Sequence, residues 1–158
     1  MLYAGLDLSR KRLDVHVLRE DGTTALVTAV SPDTDALRTL ARRVAAEGEP
    51  VRATIESMNG ARFVHDTLEF AGWEVLIADA QRVRGLAPLA AKTDKIDARV
   101  LAELTRRALV PEIWLPTPEV RQERERVRFR LHLVQHRSAL EEPDPRDPDR
   151  VRPSPPDG

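Results

Sequence analysis

The chain has 158 residues, 32% of them charged, and 25 basic against 26 acidic side chains give a formal net charge of −1. That length carries one medium domain plus appendages, and the near-zero sum excludes a global basic field while leaving local basic surfaces open. The lack of cysteine excludes disulfides, thiolate metal sites and a Cys nucleophile, and fits a reducing cytoplasmic compartment. No apolar run approaches membrane-spanning length, and Asp7 and Ser9 arrive too early for a secretory signal.

Leu2 to Leu6 is an apolar run that predicts a buried first strand, with Asp7 at its end. From Arg12 to Leu18 the chain alternates, with Leu13, Val15 and Val17 on one side and Asp14 and His16 on the other, the pattern of a half-exposed antiparallel strand. Glu20-Asp21-Gly22 supplies a hairpin turn, and Ala25 to Val30 returns as the third strand of a meander.

Ser31-Pro32-Asp33 then opens a helix, with Ser31 as its cap, Pro32 in the first helical position, and an apolar stripe of Leu37, Leu40 and Val44 ending at Gly48 and Pro50. Val51 to Ile55 is the next strand and Glu56 closes it. A second helix covers Ala61 to Phe70, with Phe63, Val64, Thr67, Leu68 and Phe70 as its apolar side, and Gly72 stops it. Trp73 to Ala78 reads as a buried fifth strand. The order β-β-β-α-β-α-β-α implies an α/β fold with a mixed sheet, its strand–helix–strand portion parallel.

Asp79 to Ala91 is a linker with one short helix, leading into a long helix from about Thr93 to Ala108. Residues 111–118 are a Pro-rich irregular connector. An arginine-rich helix over 119–140 follows, bearing Arg121, Arg124, Arg126, Arg128, Arg130 and Arg137. Val127, Leu131 and Val134 fall at 4-3 spacing, with Phe129 and Leu133 beside them. Two readings stay open: a solvated helix with one packed seam, or a helix that pairs with another copy while its arginines face phosphates. Residues 141–158 hold half of the twelve prolines and no apolar period, so a disordered tail is expected.

The chemistry concentrates in four acids. Asp94 and Asp97 lie three apart in a helix-forming run, so one helix face would carry both, although capping and the helix dipole alone account for isolated acids there. Together with Asp7 and Glu56 on two strand ends, they form a candidate site for a pair of divalent ions, since Mg²⁺ takes oxygen ligands and keeps several waters. Lys92 and Lys95 are candidate phosphate contacts, or simply neutralise the neighbouring acids. Ser9 and Ser57 have no partner base, which argues against nucleophilic roles. Asp14 and Asp66 are expected to face solvent.

The strings Gly5-Leu6-Asp7-Leu8-Ser9, Ile55-Glu56-Ser57 and Lys92-Thr93-Asp94-Lys95-Ile96-Asp97-Ala98-Arg99 resemble the N-terminal domain of DEDD transposases of the insertion-sequence-110 family. The resemblance covers about residues 1–140. It implies an RNase H-like, RuvC-type domain over 1–110, with a five-stranded sheet flanked by helices, and makes the 119–140 helix the start of a coiled coil. It also implies a catalytic and metal-binding tetrad of Asp7, Glu56, Asp94 and Asp97 with Mg²⁺ or Mn²⁺, and strand cleavage and transfer on DNA. Lys92, Lys95, Arg121, Arg124 and Arg128 become the expected nucleic-acid contacts. A structured guide RNA and, in the full-length protein, a homo-oligomer are the further partners, with no membrane.

Family members continue into a second domain with a serine nucleophile, where this chain has its proline-rich tail. We expect that tail to be an out-of-frame extension after a one-base insertion. The competing readings are a stand-alone Holliday-junction-type nuclease, a remnant that binds only nucleic acid or full-length transposase, and a sugar-kinase or actin-like ATPase. The last would need a second, glycine-rich phosphate loop that is not in this sequence.

Overall fold

Three consecutive strands, β1 (Leu2–Leu8), β2 (Leu13–Leu18) and β3 (Thr24–Val30), form the antiparallel meander that the alternation predicts. At the β2–β3 turn Gly22 takes φ +84°, a conformation costly for a residue with a Cβ, and the Asp21 carboxylate accepts from the Thr23 backbone N–H and hydroxyl. The computed structural model describes residues 1–90 and 97–141. Lys92, Asp94, Lys95 and the proline-rich tail therefore lie outside the described residues.

Helix α1 (Thr34–Ala45) leads to β4 (Val51–Glu56), and α2 (Ala61–Phe70) leads to β5 (Glu74–Ala78). The sheet order is β3-β2-β1-β4-β5, with β4 parallel to both β1 and β5. Leu2, Ala4 and Leu6 with Val51, Ala53 and Ile55 face one side, where Leu37, Leu40, Val44, Val64 and Leu68 close the main core. Each fully buried Leu or Val contributes roughly 1.5–3 kcal/mol.

The second face is covered by α4 (Ala98–Arg106), which follows α3 (Ala80–Ala90). Close approach is possible because β1 offers Gly5: a Cβ there would stand 1.8 Å from the Ala98 carbonyl oxygen. Thr54 on β4 and Thr105 on α4 meet in a buried 2.7 Å hydrogen bond. At the far end of α4, Glu103 accepts from Arg106 at 2.7 Å and Arg107 at 2.6 Å, and these bonds, Arg106 foremost, lower its carboxyl pKa to about 2. Arg106 also donates to the Glu20 carbonyl at 3.2 Å, tying the β2–β3 turn to this helix. The open edge of β5 is partly covered by the connector, through an Ala78–Glu112 bridge and the bond from Ile113 N–H to the Ile77 carbonyl.

Four details differ from the expectations. Helix α1 is capped by Asp33, whose carboxylate accepts from Ala36 N–H at 2.8 Å, and Ser31 and Pro32 stay in the approach; a charged cap also complements the helix dipole. In α2 the buried stripe is Ala61, Val64 and Leu68, which leaves Phe63 and Phe70 45% and 86% exposed on the flanks. The helix expected from Thr93 begins at Ala98, because Asp97 is its N-cap, with extended backbone (φ −131°, ψ 176°). Asp97 therefore stands at the entrance of the helix and not on its face, and Asp94 lies outside the described residues.

The fourth concerns α5 (Pro118–Glu141), which belongs to a second compact unit starting at Pro116. Val120, Val127, Leu131 and Val134 follow a 7-4-3 spacing and share one side. Phe129 and Leu133 each stand two residues from members of that stripe, roughly 200° around the helix, so they form an opposite stripe instead of flanking the first. All six are exposed. Among the described residues no helix is long and apolar enough to cross a membrane.

Candidate functional site

Strand alternation decides where the acids point. With Leu6 and Leu8 turned into the main core, Asp7 faces the α4 side together with Gly5. On β4, Thr54 reaches α4 through its hydroxyl, so Glu56, two residues on, faces the same side. Leu6 pairs with Ile55 in the parallel ladder, and Asp7 and Glu56 are the next residue of each strand. Adjacent strands lie about 4.8 Å apart, so the two carboxylates are neighbours at the carboxyl end of the sheet.

The electrostatics agree with this placement. Burial and then the negative charge of Asp7 push the Glu56 carboxyl up, and Arg84 on α3 opposes them. Glu56 Oε1 is shielded from solvent and has no hydrogen-bond partner among the described residues. An oxygen in that state calls for a cation or a proton.

Asp97 reaches this region from α4, whose first turn lies against Gly5. His16, the cross-strand partner of Gly5, senses both Asp97 and Arg99; burial, helped by Arg99, depresses its pKa, and Asp97 pulls the other way. One Asp97 oxygen accepts from Val100 N–H at 3.0 Å, so the residue caps a helix as well as carrying charge. The two roles separate by substitution. Asp97→Asn keeps a good cap and should melt within about 0.5 kcal/mol of wild type, whereas Asp97→Ala should lose about 1 kcal/mol in a urea titration.

The structure thus sets Asp7 and Glu56 side by side at one end of the sheet, and Asp97 at the start of the helix that covers the same face. Asp94, Lys92 and Lys95 lie outside the described residues, within which no group of three or more acidic or histidine side chains is arranged to hold one ion. Arg121, Arg124 and Arg128 share one flank of α5 by their 3-4 spacing. Ser9 donates its hydroxyl to the Arg12 carbonyl at 2.8 Å, in keeping with a turn role.

Sequence reasoning set Asp14 aside as solvent-facing and gave His16 and Arg84 no role at the site. Asp14 is the cross-strand partner of Asp7 and so faces the same side, half-buried and ion-paired with Arg12 at 2.6 Å. The available signal was the hairpin register: a strand resuming at Leu13 opposite Leu8 sets Asp14 against Asp7 and His16 against Gly5.

A mixed sheet of this order, with acids at the ends of its two central strands and a helix laid across one face, is an RNase H-like domain. The solved RuvC of Thermus thermophilus has the same fold: 14% of residues are identical, the TM-score is 0.51, and the similarity covers 72% of this chain and all of that one. A family model described as a transposase, that of the insertion-sequence-110 DEDD enzymes, matches residues 4–142. The chain belongs to this transposase family. No curated protein matches it.

Proposed function

We propose that the chain is the catalytic module of a DNA transposase that cuts and transfers phosphodiester strands with the help of divalent cations. The reading is carried by Asp7 and Glu56, side by side on neighbouring strand ends in a chain of the DEDD transposase family, with a shielded Glu56 oxygen that has no hydrogen-bond partner among the described residues. Hard carboxylate oxygens suit Mg²⁺ or Mn²⁺. Asp7 and Glu56, with Asp94 and Asp97, would hold such ions. When bound, they supply Lewis-acid stabilisation of the charge developing on the phosphate oxygens.

The chain's own residues do the rest. The strand ends fix Asp7 and Glu56 on a rigid sheet, and the Gly5 contact seats the capped start of α4 against it. Lys92 and Lys95 beside the acids, and Arg121, Arg124 and Arg128 along α5, supply sequence-independent contacts to phosphates. A structured guide RNA would select the DNA, and the full-length protein would act as a homo-oligomer. The apolar stripe Val120, Val127, Leu131 and Val134 is suited to pairing with another copy.

The test is a metal titration read by thermal melting. Millimolar Mg²⁺ or Mn²⁺ should raise the melting temperature of the wild-type chain, and Asp7→Asn should abolish the gain. An unchanged wild-type curve would overturn the metal site. Metal-dependent cleavage of a synthetic four-way junction by this chain alone would instead favour a stand-alone junction nuclease. Salt-dependent binding without any metal-dependent chemistry would favour a non-catalytic remnant.

A further inference from the structure

Beyond the carboxyl ends of β1 and β4 a cleft of about 490 Å³ opens, lined by Leu8, Ser9, Arg10, Met58, Asn59 and Phe63 among others. The first three follow Asp7 directly in the chain, and Met58 and Asn59 come two and three residues after Glu56. The cleft and the two carboxylates thus share one end of the sheet, the cleft on the side of α1 and α2 and the carboxylates on the α4 side, so a strand held at Asp7 and Glu56 would reach the cleft by crossing the rim of the sheet.

Its chemistry is mixed in a particular way. Phe63 and Met58 are 45% and 47% exposed, apolar surface that the core does not use although Val64 and Leu68 on the same helix are fully buried. Arg10 is exposed and makes no ion pair with a described residue. Asn59 adds an amide that can both donate and accept. A flat apolar face, a fixed positive charge and an amide side by side fit a group that is aromatic, anionic along one side and edged with hydrogen-bonding atoms. A nucleotide of a single strand has all three properties. The volume lies in the range of small-ligand sites, enough for one base with its sugar.

We propose that this cleft receives one unstacked nucleobase of the strand held at Asp7 and Glu56, its face on Phe63 and the Met58 thioether, with Arg10 on the adjoining phosphate. The inference rests on the nucleic-acid reading above and adds a subsite to it. Seating one base outside the stack would hold the sugar-phosphate chain still beside the carboxylates, the positioning that phosphoryl transfer most needs. Stacking on an aromatic ring tolerates every base, so the subsite would fix position without dictating sequence.

The experiment titrates the whole chain, in EDTA to prevent cleavage, with single-stranded DNA or RNA oligonucleotides carrying 2-aminopurine, whose fluorescence reports stacking. Phe63→Ala and Met58→Ala should each weaken binding about tenfold and remove the quenching of 2-aminopurine on binding. Arg10→Ala should lower the salt slope by about one. Phe70→Ala, on the same helix and 86% exposed, should bind as wild type. All four side chains are substantially exposed, and a thermal melt of each variant establishes that it folds.

Wild-type affinity and quenching in Phe63→Ala, beside salt-dependent binding by the wild-type chain, would overturn the subsite and leave the proposed function standing. A wild-type chain that binds no oligonucleotide at all would overturn both. The DNA and RNA arms decide which strand the cleft prefers.

Discussion

Gly5→Ala should melt far below the wild-type chain or fail to fold, although it adds a single methyl group. The new Cβ would lie 1.8 Å from the Ala98 carbonyl oxygen and 2.4 Å from the Ala102 nitrogen, both backbone atoms of α4. No rotamer relieves a clash with backbone, so the whole helix must move away from the sheet. That movement opens the Thr105–Thr54 hydrogen bond and unpacks Leu101 and Leu104, both fully buried. The cost should be at least about 3 kcal/mol, a large part of the roughly 5–15 kcal/mol that holds an ordinary domain together. Gly85→Ala is the matched control. Gly85 lies inside α3 with nothing within 4 Å of its added Cβ, so the same methyl should stabilise by about 0.5–1 kcal/mol through helix propensity. Urea titrations of the two variants should move in opposite directions. If Gly5→Ala unfolds like the wild type, α4 does not sit on β1 and Asp97 is not held at the start of a helix covering that face.

The Gly5 contact also marks a limit of what the sequence discloses. Alternation in Leu13 to Leu18 tells which side chains share a face, and the turn at Asp21-Gly22 tells where the strand returns, so the meander was legible. Strand ends were legible too, because an apolar run that stops at Asp7 or Glu56 places the acid at the rim. Alternation does not tell what covers the other face. Asp14 and His16 read as solvent-facing for that reason, yet their side of the sheet is the one α4 lies on. The start of α4 was misread for a different cause. Between Thr93 and Ala108 the run has high helix propensity, and propensity alone cannot see that an Asp97 carboxylate on Val100 N–H begins the helix there. Likewise, hydrophobicity put Phe63 and Phe70 in the core, whereas the 3-4 spacing of Ala61, Val64 and Leu68 decided which stripe of α2 is buried.

Glu56→Gln should act in opposite directions with and without metal. In the folded chain, burial and the Asp7 charge raise the Glu56 pKa above its ordinary value. Below that ordinary value the carboxyl is protonated in both folded and unfolded chains, and stability is complete. As pH rises the unfolded chain ionises first, so stability falls until the raised folded pKa has been passed. At neutral pH in EDTA the wild type therefore bears the full penalty of a shielded carboxylate, and glutamine, uncharged and nearly isosteric, does not. Glu56→Gln should melt higher than wild type there and converge with it at acid pH.

Added Mg²⁺ should reverse the order. The ion relieves the repulsion between Asp7 and Glu56 in the wild type, whereas the variant has lost one of the two adjacent carboxylates and should gain little. Strand cleavage, where the wild type performs it, should drop about a thousandfold, the consequence of losing several kcal/mol of charge stabilisation at the phosphate. A purely structural glutamate would give another pattern: Glu56→Gln would melt lower at neutral pH with or without metal, because a carboxylate retained for stability has a partner to lose. The sign of the change in EDTA thus separates a residue held for folding from one held at a cost for chemistry.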